Sequence, residues 1–346
     1  MRSTCRCIGP IIFSGRLQVR SPEMRKLLAL LVLCLAASFV DAWAATPVVP
    51  DQAVTLDTGS GVLHGSLMLP DGAAPMPVVL LIAGSGPTDR NGNTRGVLGT
   101  NDSLKLLAEA LAASGIASVR YDKRGVGESQ PAGPRESDLR FETYVTDAAA
   151  WISELRGDRR FSSVTVIGHS EGSLIGMLAV QRSGADAFIS IAGLARRGSD
   201  VLREQLRLKL DGELAERNEQ ILVSLERGQP IEPVPPELIF LYRPSVQPYF
   251  ISWFRYTPEA EIKKLSVPVL IVQGTTDIQV GPADARALKK SRPEAELRIV
   301  EGMNHVLKTV SDELAAQHAS YIVPTYPVAP ELIESIRAFV RAIRAR

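Results

Sequence analysis

Short apolar runs recur along the chain once position 60 is passed. Val62–Leu69, Val78–Ala83, Ile116–Tyr121, Val164–Ile167, Phe188–Ala192, Val269–Val272 and Leu297–Val300 are each four to eight residues long. That is the length of a strand and too short for a core helix. Between them the period changes. "NDSLKLLAEALAASG" reads as a helix capped by Asn101 or Asp102 and stopped at Gly115. "FETYVTDAAAWISELR" sets Phe141, Val145, Ala148, Ile152 and Leu155 on one helical face. Gly172–Gln181 continues the strand before it as a helix, and "PELIESIRAFVRAI" after Pro330 reads as a closing helix. Strands alternating with helices predict an α/β fold class: a mostly parallel central sheet flanked by helices on both faces.

One stretch, about 196–264, breaks the rhythm and contains no clear strand. Leu202, Leu206, Leu210 and Leu214 recur every four residues among charges, which predicts one amphipathic helix. A proline-rich break follows, "QPIEPVPPE". Then seven of the 16 aromatics beyond position 45 crowd into Phe240–Tyr256. An insertion of helix and aromatics between the strands of a regular sheet reads as a helical cap over the sheet's C-terminal edge. On that reading Phe250, Trp253 and Phe254 are candidate substrate contacts. An ordinary subdomain core or a dimer surface would use the same residues.

The N-terminus changes the picture of composition and charge. "MRKLLALLVLCLAASFVDAWAA" starts at Met24 with a positive Arg25-Lys26, an apolar run over Leu27–Val40 and the small-x-small site Ala42-Trp43-Ala44. This is the pattern of a cleaved signal peptide, with 1–23 as an upstream extension and the start at Met24. The apolar run is shorter than the roughly 20 residues of a membrane span. An uncleaved anchor and a buried helix are the alternatives, and Leu33 before Cys34 opposes a lipoprotein. Residues 46–346 are then one large α/β domain, exported to the periplasm or secreted. Cys5, Cys7 and Cys34 all precede the cleavage site, so the mature chain carries no disulfide, no thiol nucleophile and no cysteine metal site. Taking the six basic and two acidic residues of positions 1–45 from totals of 39 and 38 leaves 33 against 36. A net charge of −3 provides no attraction for nucleic acid.

Candidate chemistry centres on "VIGHSEGSLIG" (166–176), where Gly168-His169-Ser170-Glu171-Gly172 fits G-x-S-x-G between an apolar strand and a helix. A serine hydroxyl is a weak nucleophile until a base takes its proton. A tight strand-turn-helix lifts such a serine above the sheet edge, and the order of partners is then Ser, Asp or Glu, His. Only His305 and His318 lie downstream. His305, in "EGMNHVLK", follows a late strand, whereas His318 sits in a polar helical pattern and reads as solvated or cap-facing. His64 has the wrong chain order, and His169 packs under the turn. The acid is Asp277, in "QGTTD" after the strand Val269–Val272. Asp284 falls in the next helix and reads as surface. Two backbone N–H groups complete the site as an oxyanion hole: that of Glu171, after the nucleophile, and that of Ser85, in "AGSGPTDRNGN". No Gly-Lys-Ser/Thr, complete G-x-G-x-x-G, H-E-x-x-H or Cys/His cluster occurs, so neither cofactor nor metal is expected.

With Gly84-Ser85-Gly86-Pro87-Thr88-Asp89-Arg90, "RYDKRGVGES" (120–129), "GHSEG", "QGTTD" and "GMNHVLK" in view, the chain resembles the α/β-hydrolase superfamily. Within it the likeness is to the serine aminopeptidase-like branch and to secreted or periplasmic bacterial esterases. The resemblance implies the α/β-hydrolase fold and cofactor-free hydrolysis of small carboxylic esters; the apolar walls and limited depth of an aromatic cap over 240–256 predict short to medium acyl chains. Ala83-Gly84 stands where the family usually has His-Gly. Asp122 and Arg124 lie in a loop that is usually structural. A peptidase of the same fold would need an acidic patch for a free amine, for which Glu259 and Glu261 are candidates. A thioesterase is compatible with the same triad, and a catalytically idle binding protein is the rival from another class. Oligomeric state has no signature in the sequence.

Overall fold

The computed structural model describes residues 50–343 except 73, 74 and 208. The signal-peptide reading of positions 1–45 lies outside the described residues. Among the described residues there are eight strands: β1 (Gln52–Asp57), β2 (Val62–Met68), β3 (Met76–Ile82), β4 (Ala117–Tyr121), β5 (Phe161–His169), β6 (Ala187–Ile191), β7 (Val269–Gly274) and β8 (Glu296–Val300). They form one sheet in the order β1-β2-β4-β3-β5-β6-β7-β8. β2 runs antiparallel to β1 and β4, and every pairing from β4 to β8 is parallel. The central strands are covered on both faces, which is why β3 and β5 read as continuous apolar runs. The edge strand β1 is absent from the sequence expectation. It is mostly exposed and packs only Val54 and Leu56 against the core.

The helices are α1 (Ser103–Ala113), α2 (Phe141–Gly157), α3 (Glu171–Ser183), α4 (Gly198–Arg207), α5 (Gly212–Glu226), α6 (Ile239–Tyr242), α7 (Gln247–Trp253), α8 (Pro258–Ile262), α9 (Pro282–Ser291), α10 (Leu314–Ile322) and α11 (Pro330–Ala342). On one face of the sheet Leu107 and Leu111 of α1 and Leu332 and Ile336 of α11 are buried with Val79, Leu81 and Ile189. On the other, Phe141, Trp151 and Ile175 are buried with Val78, Leu80 and Val166. Among the described residues no helix is long and apolar enough to cross a membrane.

The segment between β6 and β7 holds α4 to α8. The single amphipathic helix expected through Leu202–Leu214 is two helices. The chain breaks between Arg207 and Gly212, where Gly212 takes a φ of +49° after the cap residue Asp211. The leucine face survives the break, because Leu202, Leu206, Leu210 and Leu214 all pack against the core.

Phe250, Trp253 and Phe254, expected as substrate contacts, are instead used up in packing. Trp253 stacks on Phe141 of α2 at 6.2 Å and 11°, and on Phe250 at 6.2 Å and 24°. Phe254 lies 5.4 Å from Phe250. A Cβ on Gly198 would come within 2.6 Å of the Trp253 ring, so α4 closes the remaining side. Aromatic rings gain more from one another and from burial than from an open wall. Asp284 also differs from its surface reading. It is buried, accepting from the Ala195 N–H at 2.9 Å and pairing with Arg196 at 3.1 Å. That pair ties the chain after β6 to α9.

Candidate active site

Ser170 sits between β5 and α3 with φ +55° and ψ −122°, a conformation L residues rarely adopt. Two glycines permit the turn. A Cβ on Gly168 would lie 2.2 Å from the Gly172 carbonyl oxygen, and one on Gly172 would lie 2.4 Å from that of Ile82. Neither neighbour is a side chain that can swing away. The Ser170 N–H is held by the Ile191 carbonyl at 2.9 Å. The strain is thus imposed by packing on both sides of the turn.

Asp277 and His305 come from the loops after β7 and β8. Those loops are sewn together by backbone: Thr275 N–H donates to the Val300 carbonyl at 3.0 Å and Thr276 N–H to that of Met303 at 3.2 Å. A Cβ on Gly274 would lie 1.8 Å from the Met303 oxygen, so only glycine fits. The result is a 2.8 Å hydrogen bond from His305 Nδ1 to Asp277 Oδ2. Asp277 Oδ1 accepts from the N–H groups of Gln279 (2.8 Å) and Val280 (2.9 Å), and Oδ2 also accepts from Gln273 Nε2 at 3.0 Å. Burial pushes the Asp277 carboxyl up. His305 and the two backbone donors outweigh burial and hold it below the ordinary value of 3.8. It is therefore an anion that accepts, which fixes His305 as the Nδ1–H tautomer and leaves Nε2 as the acceptor.

His305 and Ser170 line one cavity of about 100 Å³, with Ser85, Gln279 and Tyr321 on its wall. Phe250, Trp253 and Phe254 do not line it, and among the described residues neither does any carboxylate. Glu171 is the first residue of α3, so its N–H lacks an intrahelical acceptor. The other sequence candidates fall apart from this group. His318 is exposed on α10, and His64 is half-buried on β2. Arg124 is bonded to Asp147 at 2.6 Å and to the Ala132 carbonyl at 3.0 Å, while Asp122 accepts from the N–H groups of Arg90 and Glu128. Both brace the loop. No group of three or more His, Cys, Asp or Glu that suits a metal occurs among the described residues.

Sequence reasoning missed two supports. Asn304 accepts from the Lys308 N–H at 3.0 Å and donates to Ser320 Oγ at 2.7 Å and Gln317 Oε1 at 3.2 Å. It locks the turn that carries His305 onto α10. Lys123, buried beneath the site, donates to the Gly84 carbonyl and lies 3.6 Å from the Glu171 carboxylate. Neither had a distinctive local signal, since Lys123 stands between Asp122 and Arg124 and Asn304 directly precedes His305, so each reads as one polar loop residue among others.

His169 is buried next to His305, with ring centroids 4.8 Å apart. Burial is the main cause that pushes its pKa down from 6.5 to about 3, with the neighbouring His305 adding to it. It is neutral, and its Nε2–H donates to the His305 carbonyl at 2.8 Å. Between pH 6.5 and about 3 the unfolded chain takes up a proton that folded His169 refuses. Stability is therefore present above pH 6.5 and is lost as the medium turns acid. In His169→Asn the slope of Tm against pH is expected to be shallower across this window. Equal slopes would mean that some other group carries the acid sensitivity.

Comparison with known proteins finds similar hydrolases. A family model described as serine aminopeptidase, S33, matches residues 96–225. Esterase EstD of Thermotoga maritima is 30% identical over 248 residues. The match covers 71% of this chain and 58% of the length of that curated relative. Est1E from Butyrivibrio proteoclasticus, solved with ferulic acid bound, superposes with a TM-score of 0.57 at 19% identity, over 84% of this chain and 99% of that one. The α/β hydrolase GrgF from Penicillium sp. sh18 does so at 0.56 and 17%, over 85% and 99%. At these identities the structural likeness speaks for the fold.

Proposed function

Because the chain belongs to the α/β-hydrolase superfamily, we propose that it is a serine hydrolase of small carboxylic esters, with Ser170 as nucleophile, His305 as base and Asp277 as the acid that orients it. One observation carries this reading. A serine on a strained strand-helix turn shares a small cavity with a histidine whose far nitrogen is held by a buried carboxylate at 2.8 Å.

In the first half-reaction His305 Nε2 takes the Ser170 Oγ proton as Oγ attacks the acyl carbonyl. The N–H groups of Ser85 and Glu171 hold the oxyanion. His305 then protonates the departing alcohol, and the acyl group is left on Ser170. Water, deprotonated by His305, releases the acid by the same steps in the second half. Idle retention of the site is disfavoured, since the turn at Ser170 costs stability that binding alone does not require.

Ester is favoured over peptide by charge. Among the described residues the cavity wall has no carboxylate to meet a free amino terminus. Glu261, a candidate for that role, is held by Lys264 at 2.8 and 2.9 Å and by Gln181 at 3.3 Å. Short to medium acyl length is favoured by size, because about 100 Å³ is well below the roughly 300–1,000 Å³ of pockets for drug-sized ligands. For p-nitrophenyl acetate, butyrate, hexanoate and laurate, kcat/KM is expected to peak at the short esters and drop steeply at laurate. Trp253→Ala is expected to lower Tm and leave that profile unchanged, as its ring packs in the core. Failure to turn over any of the four esters would overturn the reading, and a maximum at laurate would overturn the length preference.

Export belongs to the same proposal, and rests on the leader pattern at Met24–Ala45. Helices α4 to α8, in the segment around 196–264, act on this reading as a cap. Protein recovered from the periplasm or medium is expected to begin near Ala45. Recovery with Met24 or Met1 retained would favour an anchor.

A further inference from the structure

Lys123 lies in the turn after β4, buried at 1% exposure. A lysine is seldom so placed without a partner, because its ammonium loses most of its hydration. Its partners here are specific. The ammonium donates to the carbonyl of Gly84, lies 3.6 Å from Glu171 Oε2 and sits 5.1 Å from the centre of the Tyr144 ring. Glu171 Oε2 has no hydrogen-bond partner, so this ammonium is what offsets its charge. The other oxygen, Oε1, accepts from Tyr249 of α7 at 2.8 Å.

Gly84 and Ser85 share one trans peptide plane, in which the carbonyl and the following N–H point in opposite directions. A bond that fixes the Gly84 oxygen on the Lys123 side therefore turns the Ser85 N–H away from it. Ser85 faces the cavity of Ser170 and His305. Gly84 is itself so close that a Cβ there would lie 3.2 Å from that of Ser170. Within the loop, Thr88 Oγ1 donates to the Ser85 carbonyl at 2.8 Å, which holds the next peptide rather than this one. A positive charge on the carbonyl also withdraws electrons from the amide and makes its N–H a stronger donor.

We propose that Lys123 is a positioning residue for the oxyanion hole: it fixes and polarises the Gly84–Ser85 peptide, and the Glu171 carboxylate keeps it charged and in place. Both oxyanion donors are then tied to one buried ion pair, since Glu171 contributes its N–H to one side and its carboxylate to the other. Burial pushes the Lys123 pKa below its ordinary value and Glu171 works against that shift, in keeping with the pairing. The inference rests on the ester-hydrolase reading of the site.

The test is Lys123→Met, which keeps the apolar stem and removes the charge. Rates are taken per site titrated with a fluorophosphonate, so misfolded molecules do not count. Loss of one oxyanion donor typically costs about 10²–10³-fold. Lys123→Met is expected to lower kcat for p-nitrophenyl butyrate by about 10²-fold with KM nearly unchanged. It is also expected to weaken inhibition by a trifluoromethyl ketone analogue, which forms an oxyanion on the serine, by a similar factor. A purely structural lysine would lower Tm and the titrated fraction without splitting kcat from KM. Wild-type kcat per site with wild-type inhibition would overturn the proposal. Should Lys123→Met fail to fold, Glu171→Gln keeps the acceptor for Tyr249 and removes the opposing charge; the same split, smaller in size, is then expected, and its absence is equally fatal. Ser170→Ala separates the two levels. If Ser170→Ala is inactive while Lys123→Met is unaffected, only this inference fails; if Ser170→Ala keeps activity, the reading of the site fails.

Discussion

Replacing Ser170 with alanine is expected to lower kcat for short p-nitrophenyl esters by about 10⁶-fold and to abolish labelling by a fluorophosphonate. Oγ is the only atom removed, and it is the attacking atom on this reading, because Ser170 is the hydroxyl residue that stands on the strained turn in the His305 cavity. The fold is expected to survive. Ser170 is held by backbone, through its N–H to Ile191 and its carbonyl to the Ser173 N–H at 2.9 Å, and its side chain is half-buried rather than packed in the core. A smaller side chain with the same backbone strain leaves Tm close to that of the parent. Residual turnover within tenfold of the parent, on protein of unchanged Tm, would remove Ser170 from the mechanism.

Asp277→Asn is expected to cost about 10⁴-fold in kcat near neutral pH, the size of loss seen when a triad acid becomes an amide. The hydrogen bonds of Asp277 explain why. Oδ1 faces two backbone donors, Gln279 and Val280, and must remain an acceptor. An asparagine therefore puts its oxygen there and its NH₂ at the Oδ2 position. That NH₂ meets His305 Nδ1, which must then accept instead of donate. The proton moves to Nε2, and the ring can no longer take one from Ser170. The NH₂ also opposes the Gln273 Nε2 donor at 3.0 Å, so some loss of Tm accompanies the loss of rate. A fall of less than tenfold in kcat would mean that His305 is oriented by something else.

Much of the fold was legible because it is written in short-range periodicity. Seven apolar runs became β2 to β8, with ends within a few residues of those read from the pattern. A strand's alternation or apolar run and a helix's stripe are properties of neighbouring positions, as are the glycines of a tight turn. Chain order and strand ends were enough to point to Ser170, Asp277 and His305. The edge strand β1 escaped because an exposed edge needs no apolar run.

How the aromatics of 196–264 pack was decided only by the tertiary structure. An aromatic cluster has the same composition whether it faces a substrate or faces itself. Phe141, 112 positions from Trp253 in the chain, stacks on it and makes it part of the packing. Asp284 likewise looked solvated from its polar helix, and Arg196 and the Ala195 N–H made it a buried tie.

The chain by itself determined that Ser170, Asp277 and His305 stand at the ends of strands, because this depends on residue type and local conformation. The tertiary structure decided how those groups are held. The Lys123 bond to Gly84 spans 39 positions, and the Tyr249 bond to Glu171 spans 78. Such pairs exist only where the folded sheet brings distant loops together and removes the water that would otherwise satisfy each charge separately.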